Sequence, residues 1–240
     1  TDIIAVERVL ASYQPSLIIN CSAYTKVDHC ESDHELAYAT NVLGVQYIAQ
    51  FSAEHRIPLI HFSTDYVFDG ANKLPYKEDE ACNPISYYGL TKLESEQTIM
   101  RYCDLYYIFR VQWLFGEHGH HFINTIKQLA ARKDTIQVVN DQLGTPTWTK
   151  SIVYQVMQAV NQQIPYGTYH LSDFGYTSWY DYAIYVVDLL QLDLTIKPVD
   201  SDSYLRPAKR PLNGRLDCSK LQSCIDFVPQ SWQYQVKSFL

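Results

Sequence analysis

The sequence predicts an α/β fold built on a doubly wound parallel sheet. Short apolar runs that suit buried strands alternate with longer segments of helical periodicity through the first half of the chain. Alternation of this kind is typical of parallel strands with helices on both faces. One run, 57–62, leads into Ser63 and Thr64, and small hydroxyls at the carboxyl end of a strand lie where such sheets bind ligands.

The predicted elements follow one another along the chain. Thr1 or Asp2 is placed to cap a first helix, because both side chains accept hydrogen bonds from amides of a first helical turn. Helices are predicted at 2–13, 35–55, 88–101, 151–160 and 179–190, and strands at 17–20, 59–63, 106–111 and 138–139. The helix at 151–160 is expected to return to the sheet.

Composition and charge exclude several classes of protein. The 240 residues are 47% hydrophobic and 19% charged, as in ordinary globular proteins. The formal net charge is −7, and lysine and arginine do not cluster. Binding to nucleic acid needs concentrated positive charge, so such a partner is not expected. A nucleotide ligand stays open, because its phosphates need only one or two local cations.

The cysteines and the apolar runs indicate a cytoplasmic protein without a membrane partner. Six cysteines are scattered without a Cys-x-x-Cys pair, which disfavours a zinc knuckle or a dithiol redox site. No apolar stretch approaches the roughly 18 residues of a membrane helix, and the first residues do not resemble a signal peptide.

Tyr88 and Lys92 form the pattern with the clearest chemistry. Residues i and i+4 share a helix face, so the ammonium is expected beside the phenol. Two unit charges about 5 Å apart at an effective dielectric of roughly 20 interact by on the order of 3 kcal/mol, or about two pKa units. We therefore expect a lowered phenol pKa and a proton donor at Tyr88. Tyr87 lacks this partner, because Thr91 stands four residues after it, and Thr64 alone is equally typical of a turn cap.

Longer strings are more specific than this spacing. STDYVFDG at 63–70, PYKE at 75–78 and YGLTK at 88–92 resemble the extended short-chain dehydrogenase/reductase family, in its group of dTDP-4-dehydrorhamnose reductases. The resemblance runs along nearly the whole chain. Further matching segments are NCSAYTKVD at 20–28, NVLG at 41–44, Arg110 with Trp113, GEHG at 116–119, VNDQLGTPT at 139–147, RPA at 206–208 and LD at 216–217.

The resemblance implies a Rossmann-like sheet with a smaller α/β substrate domain and a reaction in which NADPH or NADH reduces the keto group of a dTDP-linked 6-deoxy sugar. It implies three catalytic residues: Tyr88 as proton donor, Lys92 on the nicotinamide ribose, and Thr64 on the same carbonyl oxygen. The implied cofactor-binding residues are Ser22, Ala23, Tyr24, Thr25, Ser63, Tyr88 and Lys92. The implied substrate-binding residues are Thr25, Val27, Thr64, Asp65, Tyr66, Trp113 and Arg206.

The domain division that we expect is a dinucleotide-binding part at 1–112, with 151–163 packing back on it, and a mainly substrate-binding part at 113–240. Members of the family have a glycine-rich turn before the region that matches Thr1, and no glycine pattern here supplies it. We favour a further front segment in the native gene product over a truncated gene or other elements that fill the gap, and we expect weak dinucleotide binding without that segment.

Several alternatives stay open. A nucleotide-sugar epimerase or dehydratase of the same family shares the tyrosine and lysine, and a regulatory subunit similar to the beta subunit of methionine adenosyltransferase shares the fold. Trp113 also suits core packing, and Val111 and Gln112 depart from the small or hydroxyl pair common in the family. A homodimer is left open.

Charged and imidazole side chains also have more than one interpretation. Arg206 and Lys209 suit a diphosphate or a plain surface loop. The histidines at 118, 120 and 121 suit a mobile loop better than a metal site. The carboxylates of Asp28, Glu31, Asp33 and Glu35 are expected to be a solvated helix start.

Overall fold

A computed structural model describes residues 2–240, so Thr1, one of the two candidate caps, lies outside the described residues. Its main sheet has four parallel strands in the order β1-β2-β3-β8. The predicted α/β fold with a parallel sheet is confirmed. Within residues 2–240 the ten strands are β1 Ile18–Asn20, β2 Leu59–Thr64, β3 Tyr106–Val111, β4 Leu114–Phe115, β5 Thr135–Val139, β6 Leu143–Gly144, β7 Thr147–Trp148, β8 Gly167–His170, β9 Thr177–Ser178 and β10 Thr195–Val199.

The helices agree with the sequence prediction where their apolar spacing is regular. Asp2 caps the first helix, because its Oδ1 accepts the Ala5 amide at 3.2 Å. The α-helices are α1 Ile3–Tyr13, α2 Val27–Cys30, α3 His34–Tyr38, α4 Gly44–His55, α5 Tyr87–Tyr102, α6 Phe122–Ala130, α7 Thr149–Asn161, α8 Trp179–Leu190, α9 Ser219–Gln222 and α10 Trp232–Phe239. None of the helices within residues 2–240 has the length and apolar character needed to cross a membrane.

The helix predicted at 35–55 is interrupted by a π-helical turn, Ala39–Leu43, between α3 and α4. This turn contains the buried Asn41, whose Oδ1 accepts the Tyr24 amide at 2.7 Å. The Asn41 amide nitrogen donates to the Tyr24 carbonyl at 3.2 Å and to Thr91 Oγ1 at 3.0 Å. These bonds tie the loop after β1 to α5, and they satisfy the buried polar side chain in the π-helical turn.

A second body of structure surrounds the parallel pair of β5 and β10, which the main sheet does not include. Its apolar core is formed by side chains of α6, α8 and α10, with Ile126, Val186 and Val236 almost fully buried. Helix α7 packs elsewhere, because Ile152, Val156 and Ala159 join the core beneath the main sheet. Strand β8 also belongs to that sheet, although it follows residue 113.

Candidate active site

A cavity of about 330 Å³ opens at the carboxyl ends of β1 and β2. It brings together most of the residues that were predicted to bind a cofactor: Ser22, Ala23, Thr25, Ser63, Tyr88 and Lys92. Apolar side chains of β3, β4 and α7 close the opposite wall. We call this space the first cavity.

Tyr24 is the exception among those residues. Its phenol donates to Asp33 Oδ2 at 2.9 Å, and its backbone is held by Asn41. Tyr24 does not line the first cavity, because the loop after β1 turns this side chain toward the start of α3.

Ser63 carries a polar atom without a partner at the wall of the first cavity. The residue is 3% exposed, and its Oγ makes no hydrogen bond within the described residues. A buried hydroxyl without a partner costs free energy, so such groups are rare unless a ligand or water completes them. The Ser63 hydroxyl therefore fits a polar ligand group in this cavity.

Tyr88 lies in the first turn of α5, where Ser86 Oγ caps the helix by accepting the Gly89 amide at 3.1 Å. Burial raises the pKa of the Tyr88 phenol, and the neighbouring Asp65 and Tyr66 side chains raise it further. A hydrogen bond with Thr64 opposes this increase in pKa. The expected lowering of the phenol pKa by Lys92 is therefore wrong for this structure.

The reason lies in the direction of the Lys92 side chain. Its ammonium nitrogen lies 2.9 Å from His61 Nε2 and donates to the Phe62 carbonyl at 2.7 Å. Lys92 is 1% exposed, and burial lowers its pKa to about 8, against an opposing effect of Glu96. The spacing of four residues put both side chains on one helix face, but the amine is hydrogen-bonded to β2, and Lys92 is not among the groups that shift the Tyr88 pKa.

Thr64 and Asp65 lie at the end of β2, beside Tyr88. Thr64 Oγ1 donates to Asp65 Oδ1 at 3.0 Å and accepts the Tyr66 amide at 3.2 Å, so Thr64 does cap a short 3₁₀ turn, Asp65–Val67. Burial raises the pKa of Asp65 to about 7, although the Thr64 hydrogen bond lowers it. Near neutral pH this carboxyl is thus divided between its acid and its base form.

A second cavity, of about 260 Å³, lies on the other side of these residues. Its wall includes aromatic rings of Tyr66, Phe122, Trp179 and Tyr204 and the guanidinium groups of Arg206 and Arg210. Tyr66 faces Tyr88 edge to face, with 5.7 Å between ring centroids. Because Tyr88 lines the first cavity and Tyr66 the second, this aromatic pair separates the two spaces.

Asp28 anchors the arginines of the second cavity. Arg210 Nη1 donates to Asp28 Oδ1 and Nη2 to Oδ2, both at 3.0 Å, and Arg206 Nη1 lies 3.9 Å from Oδ2. Burial raises the pKa of Asp28, but the arginines outweigh it and the pKa is lowered. The interpretation of Asp28 as a solvated carboxylate is therefore wrong. No local pattern pointed to Arg210, which lies 182 positions from Asp28.

The interpretation of Glu31 as a solvated carboxylate is also wrong. Its Oε1 accepts the Tyr87 amide at 2.8 Å and so holds the first turn of α5. Lys209, by contrast, is exposed and lines neither cavity.

Trp113 and Val27 border the site without lining either cavity. The Trp113 ring stacks on Trp179 at 3.7 Å between centroids, and its backbone has a φ of 45°, a left-handed value that is costly for a bulky residue. Gly144 makes this position possible, because a Cβ there would lie 2.5 Å from the indole. Trp113 supports the aromatic wall through Trp179, and Val27 begins α2.

The histidine-rich loop before α6 does not gather ligands. His121 packs edge-on against Phe239, and burial lowers the pKa of its imidazole. Within residues 2–240, no group of three or more histidine, cysteine, aspartate or glutamate side chains is arranged to hold a metal ion.

The chain is similar to known proteins along its whole length. A family model, the RmlD substrate binding domain, matches residues 1–240. The dTDP-4-dehydrorhamnose reductase of Aggregatibacter actinomycetemcomitans is 36% identical over 244 residues, which cover 97% of this chain and 83% of that protein. The enzyme of the same name from Escherichia coli K12 is 36% identical over 245 residues, covering 98% and 82%.

Solved structures agree with these relatives. The dTDP-4-dehydrorhamnose reductase of Bacillus anthracis, solved in complex with NADP, matches with a TM-score of 0.95 at 32% identity and covers 99% of this chain and 84% of that one. Streptomyces venezuelae DesIV, a dTDP-glucose 4,6-dehydratase, shares the fold at a TM-score of 0.84 and 19% identity, covering 99% and 75%. The resemblance inferred from the motifs is confirmed: this chain belongs to the RmlD substrate binding domain family.

Proposed function

We propose that this chain reduces dTDP-4-dehydro-L-rhamnose to dTDP-L-rhamnose with a hydride from NADPH or NADH, for the synthesis of polysaccharide precursors. The observation that carries the proposal is the pair of cavities that meet at Tyr66 and Tyr88. One cavity suits a nicotinamide and the other a charged, ring-containing substrate, and a phenol stands between them. The names of the relatives at 36% identity support the same reaction.

The first cavity fits the nicotinamide half of the cofactor. The Ser63 hydroxyl lacks a partner there, and Ser22 and Lys92 also line the wall. The dinucleotide, when bound, supplies the hydride. Ser63 and Lys92 would hold its polar groups, while the apolar side chains opposite them exclude water.

Side chains of this protein hold and transfer the proton that the carbonyl oxygen of the sugar receives. Tyr88 donates its phenolic proton to the carbonyl oxygen of the sugar as that oxygen gains charge. Thr64 lies beside the phenol and orients it, and Asp65 holds the Thr64 hydroxyl at 3.0 Å. The raised pKa keeps Tyr88 protonated at neutral pH, so the phenol carries its proton before the sugar binds.

The second cavity fits a nucleotide diphosphate linked to a sugar. Planar guanidinium groups pair well with phosphate oxygens, and aromatic walls suit a base or a sugar ring. Arg210 is already committed to Asp28 by two hydrogen bonds at 3.0 Å, whereas the Arg206 side chain is 49% exposed and 3.9 Å from the same carboxylate. Arg206, which otherwise contacts the hydroxyl and ring of Tyr204, is therefore better placed than Arg210 to meet the diphosphate.

Two measurements test this function separately. Titration calorimetry with dTDP tests the second cavity, and NADPH or NADH oxidation with the keto sugar, with the product identified by NMR, tests the reaction. We expect dTDP to bind both to the unaltered chain and to Tyr88→Phe. Reduction by Tyr88→Phe should fall about 10²- to 10⁴-fold, because the proton donor is lost.

Three results would contradict the proposal. Conversion of a nucleotide sugar without net consumption of NAD(P)H would identify an epimerase or dehydratase. Failure of a dinucleotide to bind to the full-length product would favour a regulatory subunit. Reduction by Tyr88→Phe at the rate of the unaltered chain would show that Tyr88 is not the proton donor.

The organisation of the protein is proposed on the same grounds. We divide the chain into a dinucleotide part at 1–112 and a mainly substrate-binding part at 113–240, with a homodimer as the assembly to be checked by light scattering. A cytoplasmic location suits the six free cysteines and a reaction that consumes NAD(P)H.

A further inference from the structure

A buried imidazole lies directly behind the first cavity. His61, on β2, is 0% exposed and contacts polar atoms on two neighbouring elements. Its Nδ1 lies 3.1 Å from the side-chain nitrogen of Asn20 on β1, and its Nε2 lies 2.9 Å from Lys92 Nζ and 3.2 Å from Ser95 Oγ on α5. His61 thus connects the end of β1 with the lysine of the site.

The Asn20 amide fixes the tautomer of this ring. Asn20 Oδ1 accepts the backbone amide of Ser22 at 3.0 Å and the Ser22 hydroxyl at 2.6 Å. A backbone amide can only donate, so the oxygen of Asn20 must face Ser22 and its NH₂ group must face His61. Nδ1 of His61 is then an acceptor, and a neutral ring carries its proton on Nε2. Burial and the charge of Lys92 lower the pKa of His61 and keep the ring neutral.

The protonated Nε2 meets two groups. Ser95 Oγ donates its own proton to the Lys92 carbonyl at 2.6 Å, so it can accept the N–H with a lone pair. Lys92 Nζ is closer to Nε2 and also donates to the Phe62 carbonyl. An ammonium has three donors and no acceptor, so it would put a proton against the imidazole N–H, whereas a neutral amine offers a lone pair.

We propose that His61 is a positioning residue that controls the charge of Lys92: the Asn20 amide holds the imidazole proton on Nε2, and this N–H weakens the hold of Lys92 on its own proton. As a role in the reaction, this rests on the proposed function. The geometry of the four side chains does not depend on it.

Few other titratable groups face Lys92. Tyr88 and Glu96 lie on its own helix, and Cys21, at the end of β1, shares the first cavity. Glu96 favours the ammonium, but Arg110 holds its two oxygens at 3.0 and 2.7 Å. The lining residues of α7 are Thr149, Ile152 and Val153, which do not titrate.

In this arrangement the acidity of Tyr88 depends on whether Lys92 is charged. Lys92 stabilises a phenolate only while it is charged, and its pKa of about 8 puts its titration close to neutral pH. A group that stabilises the charged amine from the first cavity, such as a polar ligand, would therefore increase the acidity of the phenol. His61 supplies the opposing influence, because its N–H favours the neutral amine.

NMR of the unaltered chain tests the tautomer directly. Long-range ¹H–¹⁵N correlation spectra of ¹⁵N-labelled histidine should show His61 neutral, with its proton on Nε2, throughout pH 6–9. A proton on Nδ1 would overturn the proposal. This measurement needs neither a cofactor nor a folded variant, so it is independent of whether the chain is a reductase.

Variants test the effect on Lys92. In Asn20→Asp, the new carboxylate can keep the Ser22 bonds and accept a proton from Nδ1, so the tautomer should reverse and the Lys92 pKa should rise by about one unit or more. Ser95→Ala removes the competing acceptor and should lower the Lys92 pKa. Both are read from the pH dependence of the Lys92 side-chain ¹³Cε shift. An unchanged Lys92 pKa in both variants would contradict the proposal.

His170→Leu is the matched control. His170 is also 0% exposed and lies on β8, where its ring meets Arg110 and the Tyr76 carbonyl rather than Lys92. Its loss should leave the Lys92 pKa unchanged, and an equal change there would show that any disturbance of the core moves the lysine. If dTDP binds but these shifts are absent, the inference fails alone. If the shifts appear without any reduction of the sugar, only the proposed function fails.

Discussion

The rings of Tyr66 and Tyr88 meet edge to face at 5.7 Å, and this contact is the partition between the two cavities. An edge-to-face pair places the positive rim of one ring on the negative face of the other, which stabilises the arrangement by about 0.5–1.5 kcal/mol beyond burial. It also shields the phenol of Tyr88 from water. The partition thus sets the acidity of the proposed proton donor.

Removing the partition should lower the pKa of Tyr88. Tyr66→Ala admits water from the second cavity, and burial is the largest cause of the raised pKa of Tyr88. We expect a decrease of about one unit or more. The displacement of the Tyr88 ¹³Cζ shift toward its phenolate value at pH 11, assigned with Tyr88→Phe, should be about ten times larger in Tyr66→Ala than in the unaltered chain, because one pKa unit is a tenfold change in the ionised fraction. Tyr66→Phe keeps the ring and should leave the Tyr88 pKa close to that of the unaltered chain; a similar decrease there would rule out shielding by the ring.

Ser63→Ala should separate folding from binding. The Ser63 hydroxyl has no partner, so its loss is expected to change the free energy of unfolding by less than about 0.5 kcal/mol. Dinucleotide binding should weaken roughly 3- to 10-fold, the range of one net hydrogen bond. Urea unfolding and a binding titration measure the two effects. Ser52→Ala is the control, because its hydroxyl donates to the Ile57 carbonyl and its loss should cost about 1 kcal/mol.

The buried pair of Arg110 and Glu96 predicts a large loss of stability. Their side chains are 5% and 0% exposed and lie 2.7 Å apart. Arg110→Leu leaves a buried carboxylate without its partner, so urea unfolding should show a loss of about 3–5 kcal/mol. Replacing both residues by leucine should restore most of it. Arg206→Ala, at a half-exposed pair, should cost no more than about 1 kcal/mol; equal costs at both sites would refute the argument from burial.

Asp173 predicts a pH dependence of stability. Its carboxylate accepts the Trp148 amide at 2.9 Å and the Gln235 side chain at 3.2 Å, and burial raises its pKa to about 6. Because the folded state holds this proton more tightly than the unfolded chain, the stability linked to it is present below the usual pKa and lost as the pH rises through about 6.

The size of this effect can be measured against a variant. Between pH 5 and pH 8 the unaltered chain should lose about 1–1.5 kcal/mol relative to Asp173→Asn. Asp28→Asn is the control, because the pKa of Asp28 is lowered and its contribution is lost only as the pH falls below the usual range. Its difference from the unaltered chain should stay constant over the same interval. Parallel curves for Asp173→Asn would contradict the assignment.

Local patterns were sufficient to predict the frame of the main sheet. The strand at 106–111 and the helix at 179–190 have the predicted bounds, because apolar spacing and caps act within a few residues. Strand β10 and helix α6 were missed. Strand β10 includes Pro198 and exists through its pairing with β5, whose residues lie 60 positions away, and such a pairing leaves little local signal.

The residues of the candidate site were likewise predicted only in part. The motifs identified Ser63, Tyr88 and Lys92, which do line one cavity. The direction of the Lys92 amine depends on His61 and the Phe62 carbonyl, which reach it through strand packing rather than along the helix. Arg210 was missed because a loop far along the chain brings it to Asp28.

The wide turn before α4 makes the length of this segment as important as its sequence. Each helical residue advances about 100° around the axis, so deleting one residue from Ala39–Leu43 would rotate Asn41 away from Tyr24 and Thr91. A substitution at the partly buried Ala39, Thr40 or Leu43 leaves this rotation unchanged. Evolution can therefore change the residue type at those three positions more easily than it can insert or delete a residue in the turn.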